Sequence, residues 1–566
     1  MKLTGAEIVV RTLIEQGVTD VFGYPGGQII NVYDALYKYR DEINHILTAH
    51  EQGASHAADG YSRVTGKVGV CIATSGPGAT NLVTGIATAM LDSIPMVAIT
   101  GNVPCNLIGK DSFQEIDITG VTLPITKHNY FVNKIEDLAD VIREAFAIAK
   151  SGRPGPVLVD VPKDVQIATY DYESKLPLPK IPLAIPSDTK INKAIELINQ
   201  SKRPYIYIGG GVSGLGLGQR VALFAEKIGA VIGCSLMGIS AISDDCDRFL
   251  GMQGMHGRYS SSIAQSEADL LIGIGVRFSD RATGNIDKYA KNCKIIQIDS
   301  DFAEINKNVS VDVGVVGDVE YAFNKIFEGA SASSKPEWMD RINELKRIEK
   351  NISLELENSS TASLPPKKIF DIINARKPSG SVIVTDVGQH QMWTAQSARF
   401  DKPRRFVSSG GLGTMGFGLG AAIGAKVGSG ETTILITGDG SFGMNLNELA
   451  TAVSHNIPLI IVIMNNGVLG MVRQWQTIFF GKRYSNTVLS DRKTDFVKLA
   501  EAFGAIGMRV ETAKEFDVAF AKALEINAPV VIDAIIDKDE FVLPMLPPGG
   551  SVDEIITKVD IKNEKD

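Results

Sequence analysis

Short apolar runs recur along the whole chain, separated by stretches with helical spacing. This alternation predicts an α/β fold of doubly wound parallel sheets. In the first third, "KVGVCIATSGPGATNL" reads as a strand that ends in a Gly/Pro turn and opens a helix, with "MVAITGNVP" and "PVLVDVPKDV" as further strands. The middle offers "PYIYIGGGV", "ADLLIGIGVRF" and "KIIQIDSD", and the last third "SVIVTDVG", "TTILITGDG" and "LIIVIMNN". Residues 168–189 are proline-rich without periodicity and read as a linker. A second break at 329–338 leads into a charged helix and then into "SSTASLPPKK". The expected domains are 1–167, 190–330 and 366–545, and "KVDIKNEKD" at the end reads as a polar tail. "SGPGATNLVTGIATAM" and "GLGTMGFGLGAAIGAKVG" are both Gly-rich turns entering small-residue helices, so the first and third domains are expected to be related and the central one different. "MKLTGAEIVVRTLIEQG" predicts an amphipathic helix capped by Thr4.

Composition narrows the function classes. Of the 566 residues, 44% are hydrophobic and 22% charged, as in globular proteins. The net charge is −8 and no basic stripe occurs, which argues against nucleic acid as a partner. No apolar run suits a membrane span or a signal peptide, so a cytoplasmic protein is expected. The five cysteines (Cys71, Cys105, Cys234, Cys246, Cys293) form no CxxC pair, which favours buried thiols in a reducing compartment over disulfides or zinc.

The strongest chemical signal lies in "ITGDGSFGMNLNELATAVSHNIPLIIVIMNNGVLG". Asp439 closes one apolar strand between Gly438 and Gly440; 24 residues after that GDG, Asn465 and Asn466 close the next. Strand ends of a parallel sheet face the binding crevice, so Asp439 and Asn466 can converge. A carboxylate, an amide oxygen and a backbone carbonyl suit Mg²⁺, which also takes phosphate oxygens. The glycines admit a diphosphate, with a helix expected to start near Phe442 and offer N–H groups. Glu51, in "HILTAHEQGASHAADGYSR", is an acid among small residues with no basic neighbour. An acid there can complement a helix dipole, or hold a proton in an apolar pocket.

The GDG–NN spacing resembles the thiamin diphosphate-binding motif. Together with "YPGG", "HEQGASHAADGYSR", "SGPGATN", "SGRPGPVLVDVPKDV", "GMHG", "GVRFSDR", "GQHQMW", "GLGTMGFGLG" and "MVRQWQ", the chain resembles the catalytic subunits of the acetohydroxyacid synthase (acetolactate synthase) family. That resemblance implies decarboxylation of pyruvate on thiamin diphosphate and transfer of the hydroxyethyl group to a second 2-keto acid, pyruvate or 2-ketobutyrate, at the start of branched-chain amino acid synthesis. It implies that Glu51 shares a proton with the cofactor's aminopyrimidine. Met415 would hold the cofactor bent, and Gln389, His390, Gln391, Gly413, Gly438, Gly440, Ser441 and Met471 would be further contacts, with Asp439, Asn466 and the Val468 carbonyl on Mg²⁺. Gly27, Phe113 and Gln114 match positions at the reacting carbon. Lys163, Met255, Met471 and Trp475 match the substrate channel, and Arg281 the acceptor's carboxylate, for which a guanidinium fork is suited. A central FAD is implied, with candidate contacts at Arg153, Gly209, Gly210, Gly211, Ser235, Leu236, His256, Gly275, Arg277, Asp299 and Asp318. Ser279 departs from the family's usual "RFDDR", next to the flavin contacts and without touching Arg281. The implied assembly is a homodimer with active sites at its interface, extendable to a tetramer, with a separate regulatory small subunit.

Two alternatives carry different expectations. A pyruvate oxidase or 2-keto acid decarboxylase needs no acceptor arginine beside a tryptophan, so Arg281 with Trp475 discriminates. A non-catalytic flavin scaffold has no use for Glu51, Asp439 and Asn466, all of which are present.

Overall fold

Three six-stranded parallel sheets follow one another in the computed structural model, which describes residues 1–360 and 362–559. The last seven residues of the expected polar tail lie outside the described residues. The first sheet runs, edge to edge, through residues 44–47, 20–23, 69–73, 96–102, 156–162 and 128–131. The third runs through 406–407, 382–385, 433–438, 460–465, 530–535 and 506–510. Numbering the six strands of each sheet in chain order, both read 2-1-3-4-6-5. The central sheet (249–252, 231–234, 204–208, 270–274, 294–299, 313–316) reads 3-2-1-4-5-6, the order of dinucleotide-binding sheets. The first and third domains thus share a topology that the central one lacks, as their Gly-rich turns suggested.

Local signals place most elements. Thr4 caps the helix Gly5–Glu15 in a reciprocal capping box with Glu7. All five cysteines are free. No helix among the described residues is long and apolar enough to cross a membrane. Three expectations need correction. Residues Thr169–Asp171 of the expected linker pair as a strand, antiparallel to Lys2–Thr4, because β-prone Thr169 and Tyr170 lie beside an open edge. The charged helix Pro336–Ser359 starts inside the expected break, with proline in its first turn. The helix after Gly438 starts at Asp439 rather than near Phe442, since an acid suits the first helical position.

First and third domains meet through the helices Glu51–Thr65 and Phe417–Ser429. Their backbones touch because neither carries a side chain at the crossing. A Cβ at Gly60 would overlap the Ala421 carbonyl, one at Gly424 the Ala57 carbonyl, and one at Gly420 would lie 2.8 Å from the Gly53 oxygen. Beside the crossing, Arg63 is buried with three partners. It donates to Asp59, to Asp92 Oδ2 (2.9 Å) and across the domain boundary to the Ser408 carbonyl (2.8 Å). Burial alone would lower the Arg63 pKa, but the two aspartates outweigh it and keep the guanidinium charged. Removing Arg63 would leave both aspartates buried without a counter-charge, a loss of about 3–5 kcal/mol.

Gly424→Ala should therefore destabilise the protein by about 1–3 kcal/mol through overpacking. Gly214→Ala, where a Cβ meets nothing within 4 Å, is the matched control. Equal thermal midpoints for the two variants would show that the crossing tolerates separation.

Candidate active site

The first half of the site sits where strands 20–23 and 69–73 diverge, the switch point of the first sheet. Glu51 is the first residue of its helix, capped by His50, whose Nδ1 accepts from Gln52 N. Its Oε2 accepts from Asn81 Nδ2 at 2.9 Å. Its Oε1 lies 3.1 Å from where a Cβ on Gly78 would stand, so the turn "SGPGATN" fits only without a side chain there. Among the described residues no Lys or Arg pairs with Glu51, yet the acid is 8% exposed. Its charge helps, after burial, to hold the neighbouring Tyr33 phenol well above its ordinary range.

Other expected residues gather around it. The Gly26–Gln28 turn leans on Thr74, with Gln28 N donating to Thr74 Oγ1 at 3.2 Å. Gly27 faces open space, and Lys163 Nζ donates to its carbonyl at 3.0 Å. Gln114, in the left-handed region at φ 62°, packs against Gly76 at φ 59°. Phe113 is 83% exposed.

The second half occupies the same switch point of the third sheet. Gly438 pairs with Met464 in adjacent strands, which sets Asp439 beside the Asn465–Asn466 turn. Burial pushes the Asp439 carboxyl up to about 6, so the site favours a cation that would hold it ionised. Asn466 Oδ1 accepts from Val468 N at 3.2 Å. His390 is buried against Gly388 and Gly438, and burial lowers its pKa to about 3. Its Nε2 has no partner, an orphan that fits a ligand group in the crevice. Ser441 Oγ donates to the Val387 carbonyl at 2.8 Å. Among the described residues no three His, Cys, Asp or Glu side chains form a metal cluster. The set Asp439, Asn466 and Val468 carries one carboxylate and suits Mg²⁺ only if a diphosphate completes it.

Two expected diphosphate contacts are already engaged. Gln389 donates to Gln474 Oε1 (3.0 Å) and to the Glu540 carbonyl (2.9 Å), and accepts from Asn466 Nδ2 (3.2 Å). Gln391 donates to Ser408 Oγ (2.8 Å) and the Ser409 carbonyl (3.1 Å). Their amides brace the strand end and the loop leading to Met415. Met415 lies between Gly413 (φ 69°) and Gly416 (φ 86°), its Cε 3.8 Å from where a Cβ on Gly440 would stand.

Met255 and Arg281 meet in the central domain. Met255 N donates to the Arg281 carbonyl at 2.8 Å, and Arg281 Nη1 reaches Met255 Sδ at 3.6 Å. The Arg281 side chain is 66% exposed, and its one ion pair among the described residues is to the still more exposed Asp280 at 3.9 Å. Such a pair leaves the fork available. In the helix Gly470–Phe479, Met471 packs against the core, whereas half-buried Trp475 sits edge-on to Phe479 at 5.6 Å.

The nucleotide candidates lie at the central switch point. Gly209 and Gly211 press on Gly275 so closely that a side chain at any of them would collide with backbone. Ser235 N donates to the Ile208 carbonyl at 2.9 Å, and Leu236 opens the turn that follows. The Arg277 carbonyl accepts from Asn308 Nδ2 at 2.9 Å, but its guanidinium has no hydrogen-bond partner among the described residues, and burial, then Arg153, lower its pKa. Asp299 is pushed up to about 6 by burial. His256 is buried, its Nδ1 unpartnered and its pKa lowered to about 4. An unpaired arginine beside glycine turns fits an anionic dinucleotide. Two further candidates have partners within the chain. Asp318 caps the helix Val319–Gly329, its Oδ1 accepting from Tyr321 N. Arg153 bonds Glu304 (2.7 Å) and Ser93 (2.7 Å). Ser279 is exposed.

Glu448 went unremarked in the sequence. Its Oε2 accepts from Ala49 N (3.2 Å) and Thr451 (2.7 Å), while Oε1 lies unpartnered over Gly53, and burial raises its pKa. "NLNELATA" holds the same signal that marked Glu51, a lone acid among small and apolar residues.

Three family profiles match the chain: the N-terminal thiamine pyrophosphate (TPP)-binding domain of thiamine pyrophosphate enzymes over residues 3–121, the central domain over 191–326, and the C-terminal TPP-binding domain over 386–534. The chain is 45% identical to the acetolactate synthase large subunit of Corynebacterium glutamicum, over 98% of this chain and 90% of that one. It is 44% identical to a probable acetolactate synthase large subunit of Methanocaldococcus jannaschii, over 99% and 96%. It is 43% identical to the acetolactate synthase isozyme 2 large subunit of Escherichia coli K12, over 98% and all of that chain.

Asp439→Ala should abolish Mg²⁺-dependent uptake of thiamin diphosphate, since it deletes the one carboxylate in the set. Unchanged affinity in calorimetric titration would remove Asp439 from the metal site.

Proposed function

We infer the activity of this chain from its membership: it belongs to the thiamine pyrophosphate enzymes and, among them, to the acetolactate synthase large subunits. It is a thiamin diphosphate-dependent carboligase that decarboxylates pyruvate and joins the remaining two-carbon unit to a second 2-keto acid. The observation that carries this reading is the placement of Asp439 and Asn466 at the ends of adjacent parallel strands, beside the buried His390, whose Nε2 has no partner. We assign the first, central and third domains to residues 1–167, 190–330 and 366–545.

Bound thiamin diphosphate supplies the electron sink for decarboxylation and the carbon at which the new bond is made. In our reading Asp439, Asn466 Oδ1 and the Val468 carbonyl hold Mg²⁺, and neutral His390 faces the diphosphate. Glu51 holds and returns a proton at Oε1, the oxygen that Asn81 leaves free. Met415, beside Gly440, would pack against the cofactor. Gly27, Gln114 and Phe113 line the reacting centre, and Lys163 is pinned to Gly27. Arg281 receives the acceptor's carboxylate, with Met255 beside it and Trp475 as the apolar wall. FAD belongs at Gly209–Gly211, Gly275 and Arg277, supported by the central strand order and the unpaired guanidinium.

A second copy completes the site. The two halves sit in different domains and leave Phe113 (83%), Leu123 (69%) and Met444 (56%) exposed in one chain. We therefore assign a homodimer that sets the Glu51 half of one chain against the Asp439 half of the other. Relatives named large subunits also point to a separate small subunit as partner.

The direct test incubates wild type and Glu51→Gln with pyruvate, Mg²⁺, thiamin diphosphate and FAD. Wild type should form acetolactate without stoichiometric bleaching of the flavin. The variant should still bind cofactor and lose ~10²–10⁴-fold in rate. Flavin bleaching in step with pyruvate, yielding acetate or acetyl phosphate, would identify an oxidase instead.

Trp475→Leu tests the acceptor wall. Pyruvate and 2-ketobutyrate differ by one methylene, from which an apolar pocket extracts ~1–3 kcal/mol, or ~10–200-fold. The variant should flatten the preference for 2-ketobutyrate and leave decarboxylation of the first pyruvate intact. A product ratio unchanged in competition would take Trp475 out of the site.

A further inference from the structure

We propose that Asp92, in the first domain, is a positioning residue for the loop 410–416 of the third, the loop that bears Gly413 and Met415. The inference rests on the thiamin-dependent reading above. Asp92 ends the helix Val83–Asp92, and its side chain is wholly buried. Its carboxylate accepts three hydrogen bonds: Gly411 N to Oδ1 at 2.7 Å, Gly410 N to Oδ2 at 3.0 Å, and Arg63 Nη2 to Oδ2 at 2.9 Å. One turn back on the same helix, the Thr88 hydroxyl meets the Thr414 hydroxyl at 2.8 Å. A single helix thus holds the loop near both ends of 410–414.

The loop needs outside support. Gly410, Gly411, Gly413 and Gly416 leave its backbone soft, two of them in the left-handed region. Its Leu412 is exposed. The far end of the loop is fixed at Gly416, whose N donates to Asp386 Oδ1 (2.7 Å) and whose carbonyl accepts from Asn445 Nδ2 (2.8 Å). The Ser409 hydroxyl accepts from Thr414 N (3.0 Å), which leaves the stretch 410–413 to the helix Val83–Asp92 and to Met237, which packs on Gly410. Gly411 is fitted to the aspartate, since a Cβ there would lie 2.9 Å from Asp92 Oδ1 and 3.0 Å from the Leu91 carbonyl. A carboxylate can accept all three bonds, whereas an amide offers one oxygen and turns two N–H groups on the same donors. Asp59 still pairs Arg63 when the Asp92 charge is removed, so the fold keeps its buried cation balanced.

The test compares full-length wild type, Asp92→Asn and Gly411→Ala. Thiamin diphosphate uptake is titrated calorimetrically with Mg²⁺, and initial rates are taken at saturating cofactor. Partners one step behind the contacting groups typically govern 10–100-fold in affinity, so about that loss is expected for thiamin diphosphate. The KM for pyruvate at saturating cofactor and the thermal midpoint of the cofactor-free protein should stay near wild type. Gly411→Ala should give the same split without touching a charge, and it decides the matter alone if Asp92→Asn does not fold. Wild-type affinity in both variants overturns this inference only. A wild-type protein that takes up no thiamin diphosphate overturns the reading beneath it as well.

Discussion

Backbone contact between the helices Glu51–Thr65 and Phe417–Ser429 is the constraint from which the rest of the site follows. Glu51 opens one of these helices, and the loop carrying Met415 opens the other. Because glycines at 60, 420 and 424 let the two backbones meet, both helix starts are fixed in one frame. Side chains at the crossing would push the helices apart and change the spacing of the two half-sites that one chain offers to its second copy. The buried Arg63 adds direction to this contact, since it tells Asp59, Asp92 and the Ser408 carbonyl where to stand. Apolar packing alone carries no such information.

The fold was largely legible because the central strands of each sheet are near-continuous apolar runs, several of which end in a glycine turn. "TTILITGDG" and "LIIVIMNN" gave both strands and strand ends, and with them Asp439 and Asn466. Thr4 was readable because its cap lies within four residues. What stayed hidden is mostly action at long sequence separation. Asp92 meets Gly410 318 residues away, and Glu448 meets Ala49 399 residues away. No local period reports such pairs. Asp318, Gln389 and Gln391 were marked by motif position, and their bonds to backbone and amide groups within the chain were not legible from it.

The strand orders divide the labour among the domains. Two sheets of one topology each offer a switch point where a turn without side chains lies against an acid: Glu51 over Gly78, Asp439 between Gly438 and Gly440. The central sheet offers a different crevice, where the Arg277 guanidinium, suited to phosphate, stands with the buried Asp299.

The two-stranded ribbon of Lys2–Thr4 and Thr169–Asp171 closes the first domain on itself. Entry and exit of that domain therefore lie side by side. A unit with neighbouring ends can be copied, excised or spliced into another chain with little disturbance to its surroundings. The third domain repeats the strand order of this unit, with a sheet of different order set between the two.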